Sequence, residues 1–140
     1  WPIKSIPFAV NTVQHPVPSA RRCYKVGQAL KVAIESYPED MKVVIAGTGG
    51  LSHQLQGERA GIINVDYDLA CIESVINDPD WFANQSNDEI IEQAGTEGIE
   101  TIMWLVMRGA LGEKVNCLHK HYHAPISNTG AGVLLLEGAD

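Results

Sequence analysis

The chain has 140 residues, a hydrophobic fraction of 45% and a formal net charge of −7 at pH 7. This length can bury the core of one ordinary domain, and no apolar segment approaches the roughly 20 residues that span a bilayer. The acidic charge argues against nucleic acid or an anionic membrane surface as the main partner. We therefore expect a cytoplasmic protein with no nucleic-acid or membrane partner.

The first predicted elements are a strand, a helix and a second strand. Residues 3–13 form a β-like apolar run, and because the core-like sequence already opens at Trp1, we expect the chain to be a piece of a longer protein. Ser19 is placed to cap a helix that Pro38 closes. Residues 41–46 have the length and β-branched character of a buried parallel strand. The connection between the two strands should be a right-handed crossover.

The second half of the chain is predicted to be mainly helical. Asn64 can cap a helix that runs to Ile76, and residues 86–89 form a capping-box pattern that starts another. A strong helix is expected over residues 96–108, and residues 132–137 return to strand. The pattern predicts an α/β fold with a central, mostly parallel sheet flanked by helices, of which the first half is missing.

His53 is the first candidate for a functional residue. It follows the apolar run of residues 43–46 and the glycine-rich turn that includes Gly49 and Gly50. Loops at the carboxyl ends of strands are common ligand sites in α/β sheets, and glycines allow backbone to approach a ligand closely. An imidazole titrates near neutral pH and suits a general base. The alternative is an ordinary solvated or hydrogen-bonded loop histidine.

Glu100 is the second candidate, because apolar side chains surround it on almost the whole circumference of its predicted helix. A buried carboxylate needs a partner to offset its loss of hydration. The sequence leaves open a salt bridge to Arg59 or Arg108, an exposed notch, or coordination of a metal ion.

Two further clusters give weaker signals. His119, His121 and His123 alternate and could share an ion on a strand, but a polar, partly exposed segment is the simpler interpretation. Ser127 and Asn128 belong to a group of short donors that can hold a carboxylate or make a turn. The three cysteines are widely spaced and include no CxxC pair, so we expect neither disulfides nor a thiolate zinc site.

Four segments together resemble the class III extradiol dioxygenases. They are residues 11–24 (NTVQHPVPSARRCY), 47–57 (GTGGLSHQLQG), 94–100 (AGTEGIE) and 122–129 (YHAPISNT). The likeness is strongest to the enzymes that cleave protocatechuate and gallate, and it covers nearly the whole chain in order. It implies that residues 1–140 are one partial domain, the C-terminal half of the catalytic domain.

The resemblance also implies a mechanism and a set of site residues. The family cleaves catecholic acids with dioxygen at a non-haem Fe(II), which two histidines and a glutamate hold. By motif, the glutamate ligand falls on Glu100, the acid/base histidine on His53, and the residues near the substrate carboxylate on Ser127 and Asn128. No segment matches the two histidine ligands, which the family carries in its N-terminal half.

Partners and alternatives follow from the same resemblance. We expect an aromatic acid and dioxygen as substrates, the N-terminal half of the same domain as a partner, and a homo-oligomer, with a small companion subunit or domain left open. Two other hypotheses remain. The chain could belong to a non-catalytic binding module that keeps the fold, or to a metal-dependent hydrolase.

Overall fold

The computed structural model describes residues 3–139, so Trp1 and Pro2, where the first apolar run opens, lie outside the described residues. Helices make up most of its regular structure, and a two-stranded sheet follows them in the chain. The elements are α1 Ala20–Glu35, α2 Val65–Asn77, α3 Pro79–Ala83, α4 Asn87–Ala94, a 3₁₀ helix Gly98–Thr101, α5 Ile102–Gly109, β1 Val115–His123 and β2 Ala131–Gly138. None of the helices in this range has the length and apolar character that crossing a membrane requires.

The predicted helix starts are confirmed because each has a local signal. Ser19 accepts a hydrogen bond from the Arg22 backbone N–H at the start of α1, and Asn64 accepts one from the Tyr67 N–H at the start of α2. Ser86 forms the complete capping box of α4. Such caps satisfy N–H groups that have no partner inside the helix.

The helix predicted over residues 96–108 is divided. Gly95 ends α4, a 3₁₀ helix occupies Gly98–Thr101, and α5 begins only at Ile102. The residues of α5 are largely buried, as their apolar character indicated. Glu100 therefore lies in the 3₁₀ turn before α5 and is half-buried.

The mixture of helices and strands is confirmed, but the central parallel sheet is not present among residues 3–139. The sheet in this range is β1 paired with β2 in antiparallel orientation. Residues 3–13 and 41–46 contain no strand, so the predicted crossover through α1 is not formed either. A strand must pair its backbone N–H and C=O groups with a neighbouring strand, and neither segment has such a neighbour in the described part of the chain.

The core lies where α1, α2, α4 and α5 meet, and β2 covers one side of it through Leu134 and Leu136. Its largest fully buried apolar side chains are Phe82, Ile90, Ile102, Leu105 and Val75. Leu51 and Ile72 are also fully buried and form a second, smaller cluster with Trp104. Leu51 lies two residues before His53. The buried Leu51 side chain therefore fixes the loop that carries His53 against the protein interior.

Candidate functional site

The backbone of His53 is fixed at the junction between α4 and the 3₁₀ helix. Its N–H donates to the Ala94 carbonyl at 2.7 Å, and its carbonyl accepts from the Gly98 N–H at 3.2 Å. Gly95 has a φ of 89°, and a Cβ at this position would overlap the His53 carbonyl oxygen. Glycine thus permits both the left-handed backbone and the close approach.

Two successive glycines bring the His53 loop against the Glu100 segment. A Cβ on Gly49 would lie 3.0 Å from the Glu100 Cβ, and a Cβ on Gly50 would lie 3.1 Å from the His53 Cε1. The Gly49 carbonyl accepts from the Trp104 indole at 3.2 Å, and the Gly50 carbonyl accepts from the Thr101 hydroxyl at 2.8 Å. The close approach at these glycines is to protein, and the neighbours include the two candidate residues; the approach to a ligand stays a prediction.

The tautomer of His53 is set by its own loop. The ring is only 7% exposed, and its Nδ1 lies 2.9 Å from the Leu51 carbonyl oxygen. A carbonyl can only accept, so Nδ1 must carry the hydrogen in this bond. In the neutral imidazole this leaves the lone pair on Nε2, which is the atom able to take a proton.

Ser127 and Asn128 lie on the segment that pairs with the His53 loop. Thr129 forms an isolated antiparallel bridge with His53, and Gly130 exchanges backbone hydrogen bonds with Leu51 and Ser52 at 3.2 and 2.9 Å. Ser127 and Asn128 are exposed. Asn128 has a φ of 50°, a left-handed conformation that asparagine adopts more readily than most residues.

The two arginines considered as partners of Glu100 have other roles. The Arg59 guanidinium donates to the carbonyls of Ile91 and Glu92 near the end of α4. Arg108 is 1% exposed and donates to the carbonyls of Val75, Gly112 and Glu113. Their hydrogen bonds account for both arginines without the Glu100 carboxylate.

A buried carboxylate that the sequence analysis missed lies beside the site. Asp68 is 1% exposed and accepts from the Ser52 N–H at 2.8 Å, the Ser52 hydroxyl at 2.7 Å and the Tyr122 hydroxyl at 2.8 Å. Burial raises the pKa of Asp68 above its usual value, and these three hydrogen bonds act in the opposite direction. The signal was an acidic residue in helical register with Ile72 and Val75, the same pattern that singled out Glu100.

The alternating histidines do lie on a strand. His119, His121 and His123 are exposed residues of β1 and pair with Leu135, Val133 and Ala131 of β2. Within residues 3–139, no three His, Cys, Asp or Glu side chains come together in a way that could hold a metal ion. Glu100 is thus a single potential ligand rather than part of a complete set in this range.

Comparison with known proteins agrees with the resemblance seen in the motifs. Residues 1–134 match the family described as the catalytic LigB subunit of aromatic ring-opening dioxygenase. A gallate dioxygenase of Pseudomonas putida is 48% identical over 140 residues, which is 100% of this chain and 41% of that protein. The chain thus spans about two-fifths of the length of this curated relative.

Proposed function

Because the chain belongs to the family of catalytic LigB subunits of aromatic ring-opening dioxygenases, we propose that it is the C-terminal part of an extradiol dioxygenase acting on a catecholic acid. The observation that carries this proposal is the contact of Gly49 with Glu100 and of Gly50 with His53. It brings the Cβ of a potential metal ligand and the ring of a potential proton acceptor against two successive glycines. The gallate dioxygenase relative makes gallate the first substrate to test and protocatechuate the second.

In this proposal His53 is the general base. A phenolic hydroxyl of the substrate gives its proton to Nε2, the nitrogen left free by the bond between Nδ1 and the Leu51 carbonyl. The backbone bonds to Ala94 and Gly98 hold the residue in place during this transfer. A fixed ring loses little entropy on reaching the reactive geometry.

Glu100 would supply the carboxylate ligand of the iron. Its half-buried side chain lies beside Gly49, and a carboxylate oxygen is a suitable donor in a site of two histidines and one carboxylate. The two histidines would come from the N-terminal half of the domain. When bound, Fe(II) would hold the diol and dioxygen together and supply the redox chemistry between them.

Ser127 and Asn128 would hold the carboxylate of the substrate. Both are exposed, and Thr129 ties their segment to His53. A hydroxyl and an amide N–H are hydrogen-bond donors that can orient a carboxylate without adding charge. This arrangement would place the ring of the substrate between the donors and the base.

The N-terminal half of the domain would also complete the fold. Residues 3–13 and 41–46 expose large apolar side chains, including Phe8 at 58%, Val13 at 84% and Val44 at 83%. Exposed large apolar side chains in such number are typical of a surface that a partner covers. We propose that these segments become strands of the parallel sheet in the whole protein, and that this protein is a cytoplasmic homo-oligomer.

The test uses the full-length protein, gallate and an oxygen electrode. His53→Gln should lower kcat by about 10²- to 10⁴-fold, while His121→Gln, a change of the same type on the exposed face of β1, should leave kcat unchanged. Equal turnover in the two variants would reject His53 as the base. Gallate consumption without oxygen uptake would favour the hydrolase, and no reaction in an iron-loaded protein would favour the binding module.

A second measurement addresses the metal directly. Glu100→Gln should lower the iron content of the purified protein at a fixed, limiting iron concentration by about tenfold or more. Glu137→Gln, which changes an exposed residue of β2, serves as the control. An unchanged iron content in Glu100→Gln would remove this residue from the ligand set.

A further inference from the structure

Asp68 lies at the meeting point of four segments. It belongs to α2, its three hydrogen bonds come from Ser52 in the His53 loop and from Tyr122 in β1, and a Cβ on Gly130 would overlap its Oδ2. A carboxylate this deeply buried is stable only when its oxygens find donors. The cluster of Asp68, Ser52 and Tyr122 meets that requirement with one backbone and two hydroxyl donors.

The Ser52 hydroxyl has a second role in this cluster. While it donates to Asp68, it accepts from the Asn64 N–H at 2.7 Å. Asn64 is the N-cap of α2. Ser52, which is 0% exposed, is therefore bonded to the helix from two sides and has little freedom to shift.

The cluster is coupled to the proposed site through the backbone. Ser52 directly precedes His53, and its carbonyl accepts from the Gly130 N–H, which follows the bridge between Thr129 and His53. Burial raises the pKa of Asp68, and a positive charge on His53 acts in the opposite direction. The two groups therefore attract each other when the imidazole is protonated.

We propose that Asp68, acting through Ser52 and Tyr122, is a positioning residue that fixes His53 and the Ser127–Asn128 segment relative to each other. This inference rests on the proposed function, because it assigns to Asp68 the alignment of the proposed base with the proposed carboxylate-binding segment. Asp68 itself would touch neither substrate nor metal. Its removal should slow proton transfer and leave the overall fold in place.

The experiment compares two buried serines in the full-length protein. Ser52→Ala removes a hydroxyl that donates to Asp68 and accepts from Asn64. Ser74→Ala removes a hydroxyl that donates to the Asp78 carbonyl and accepts from the Phe82 N–H, at the junction of α2 and α3. Both variants should lower the thermal midpoint to a similar extent. We expect only Ser52→Ala to lower kcat, by about tenfold to a hundredfold, with KM for gallate changed less than kcat.

A double variant separates this inference from the proposed function. If His53 is the base and Ser52 acts through it, Ser52→Ala should cause no additional loss of kcat in a His53→Gln background. Additive losses, or equal kcat values for Ser52→Ala and Ser74→Ala, would overturn the positioning role while leaving His53 as the base. Unchanged turnover in His53→Gln alone would instead overturn the proposed function.

Asp68→Asn and Tyr122→Phe test the other two members of the cluster. Tyr122→Phe deletes one donor to Asp68 and keeps the ring, so its kcat should fall less than that of Asp68→Asn. The reverse order would contradict the central place of the carboxylate.

Discussion

Residues 47–53 and residues 3–13 both lack regular secondary structure, yet their surroundings differ. In the first segment, backbone groups of residues 49–53 form hydrogen bonds with neighbouring elements. Their partners lie on α2, at the end of α4, in the 3₁₀ helix, on α5 and in the segment just before β2. In the second, Ile6 is 92% exposed and Val13 is 84% exposed. An irregular segment can therefore hold its residues in fixed positions when its backbone polar groups are hydrogen-bonded to well-ordered neighbours.

The difference lies in which segments find partners for their backbone groups within the described residues. The helices between residues 65 and 109 satisfy most of their backbone groups internally, and long polar side chains join them to the neighbouring turns. The apolar segments before them, residues 3–13 and 41–46, form no strand within residues 3–139. We expect substitutions in the helical part to affect both stability and the site, and the following predictions test that expectation.

The largest effect is expected from Arg108→Met. Arg108 crosses from α5 to the Val75 carbonyl of α2 and to the turn before β1. Its loss would leave three buried or half-buried carbonyls without these donors, so the free energy of unfolding should fall by about 3 to 5 kcal/mol. The same change at the exposed Arg22 should stay within about 0.5 kcal/mol of wild type. Urea unfolding of the full-length variants measures both values.

Similar losses of unfolding free energy in Arg108→Met and Arg22→Met would contradict the idea that long polar side chains hold the helices and the neighbouring turns together. A large loss of unfolding free energy in Arg108→Met, with normal oxygen uptake by the protein that stays folded, would restrict this idea to stability. In that case Arg108 would support stability alone, and the geometry of the site would depend on the segments around His53.

A smaller effect on stability, with a direct effect on the site, is expected from Gly95→Ala. Gly95 and Gly57 both have positive φ, at 89° and 82°, so alanine should cost about 1 kcal/mol at either position for the backbone alone. A Cβ at Gly57 would meet the Gln54 Nε2 at an unstrained 3.4 Å, whereas a Cβ at Gly95 would overlap the His53 carbonyl oxygen. We expect Gly95→Ala to cost about 2 to 3 kcal/mol in total.

The comparison of Gly95→Ala with Gly57→Ala also tests the site. Only Gly95→Ala should lower kcat, because only there must the His53 backbone move. Thermal unfolding and oxygen uptake on both full-length variants give the two readouts. Equal kcat values would show that the α4 junction supports His53 less closely than its hydrogen bonds suggest.

The starts of α1, α2 and α4 could be predicted from the sequence because their signals are local, whereas the short α3 was not predicted. Ser19, Asn64 and Ser86 each cap a helix three residues or fewer from the N–H they bond. Of the predicted strands, the one over residues 132–137 is confirmed as β2, but those over residues 3–13 and 41–46 are not formed, since a strand exists only with its partner. Residues 41–46 have strand composition but no partner in the described range, whereas the polar β1 forms a strand because β2 pairs with it.

The candidate residues could be identified from the sequence where residue type and motif agreed, and their roles stay predictions. His53 and Glu100 stand out as a loop imidazole and an acidic residue among apolar ones, and the structure brings their segments together. Asp68 does not stand out in the sequence because hydrophobicity alone predicts Leu69 on the inward face of α2, together with Ile72 and Val75. In the structure Leu69 is 42% exposed and Asp68 takes the buried position. Its donors are 16 and 54 residues away, a pairing that local periodicity does not contain.

The smallest effect, and the one that isolates local signals, is expected from Ser86→Ala. Hydrogen bonds from the Ser86 backbone and side chain lower the pKa of Glu89. A carboxyl whose pKa is lower in the folded state stabilises the fold above its unfolded pKa, and this contribution is lost as the pH falls through the folded value. The destabilisation caused by Ser86→Ala should therefore be greatest near neutral pH and shrink on acidification.

Ser19→Ala is the matched control, because Ser19 caps α1 but the first turn of α1 contains no acidic residue. It should cost about 1 kcal/mol, with little change in that cost between neutral pH and about pH 4, near the usual pKa of glutamate. Thermal midpoints of the two full-length variants across this range give the comparison. If the two pH profiles coincide, the capping box of α4 contributes no more to stability than a simple serine cap. The hydrogen bond from the Ser86 N–H to the Glu89 carboxylate would then have no energetic role.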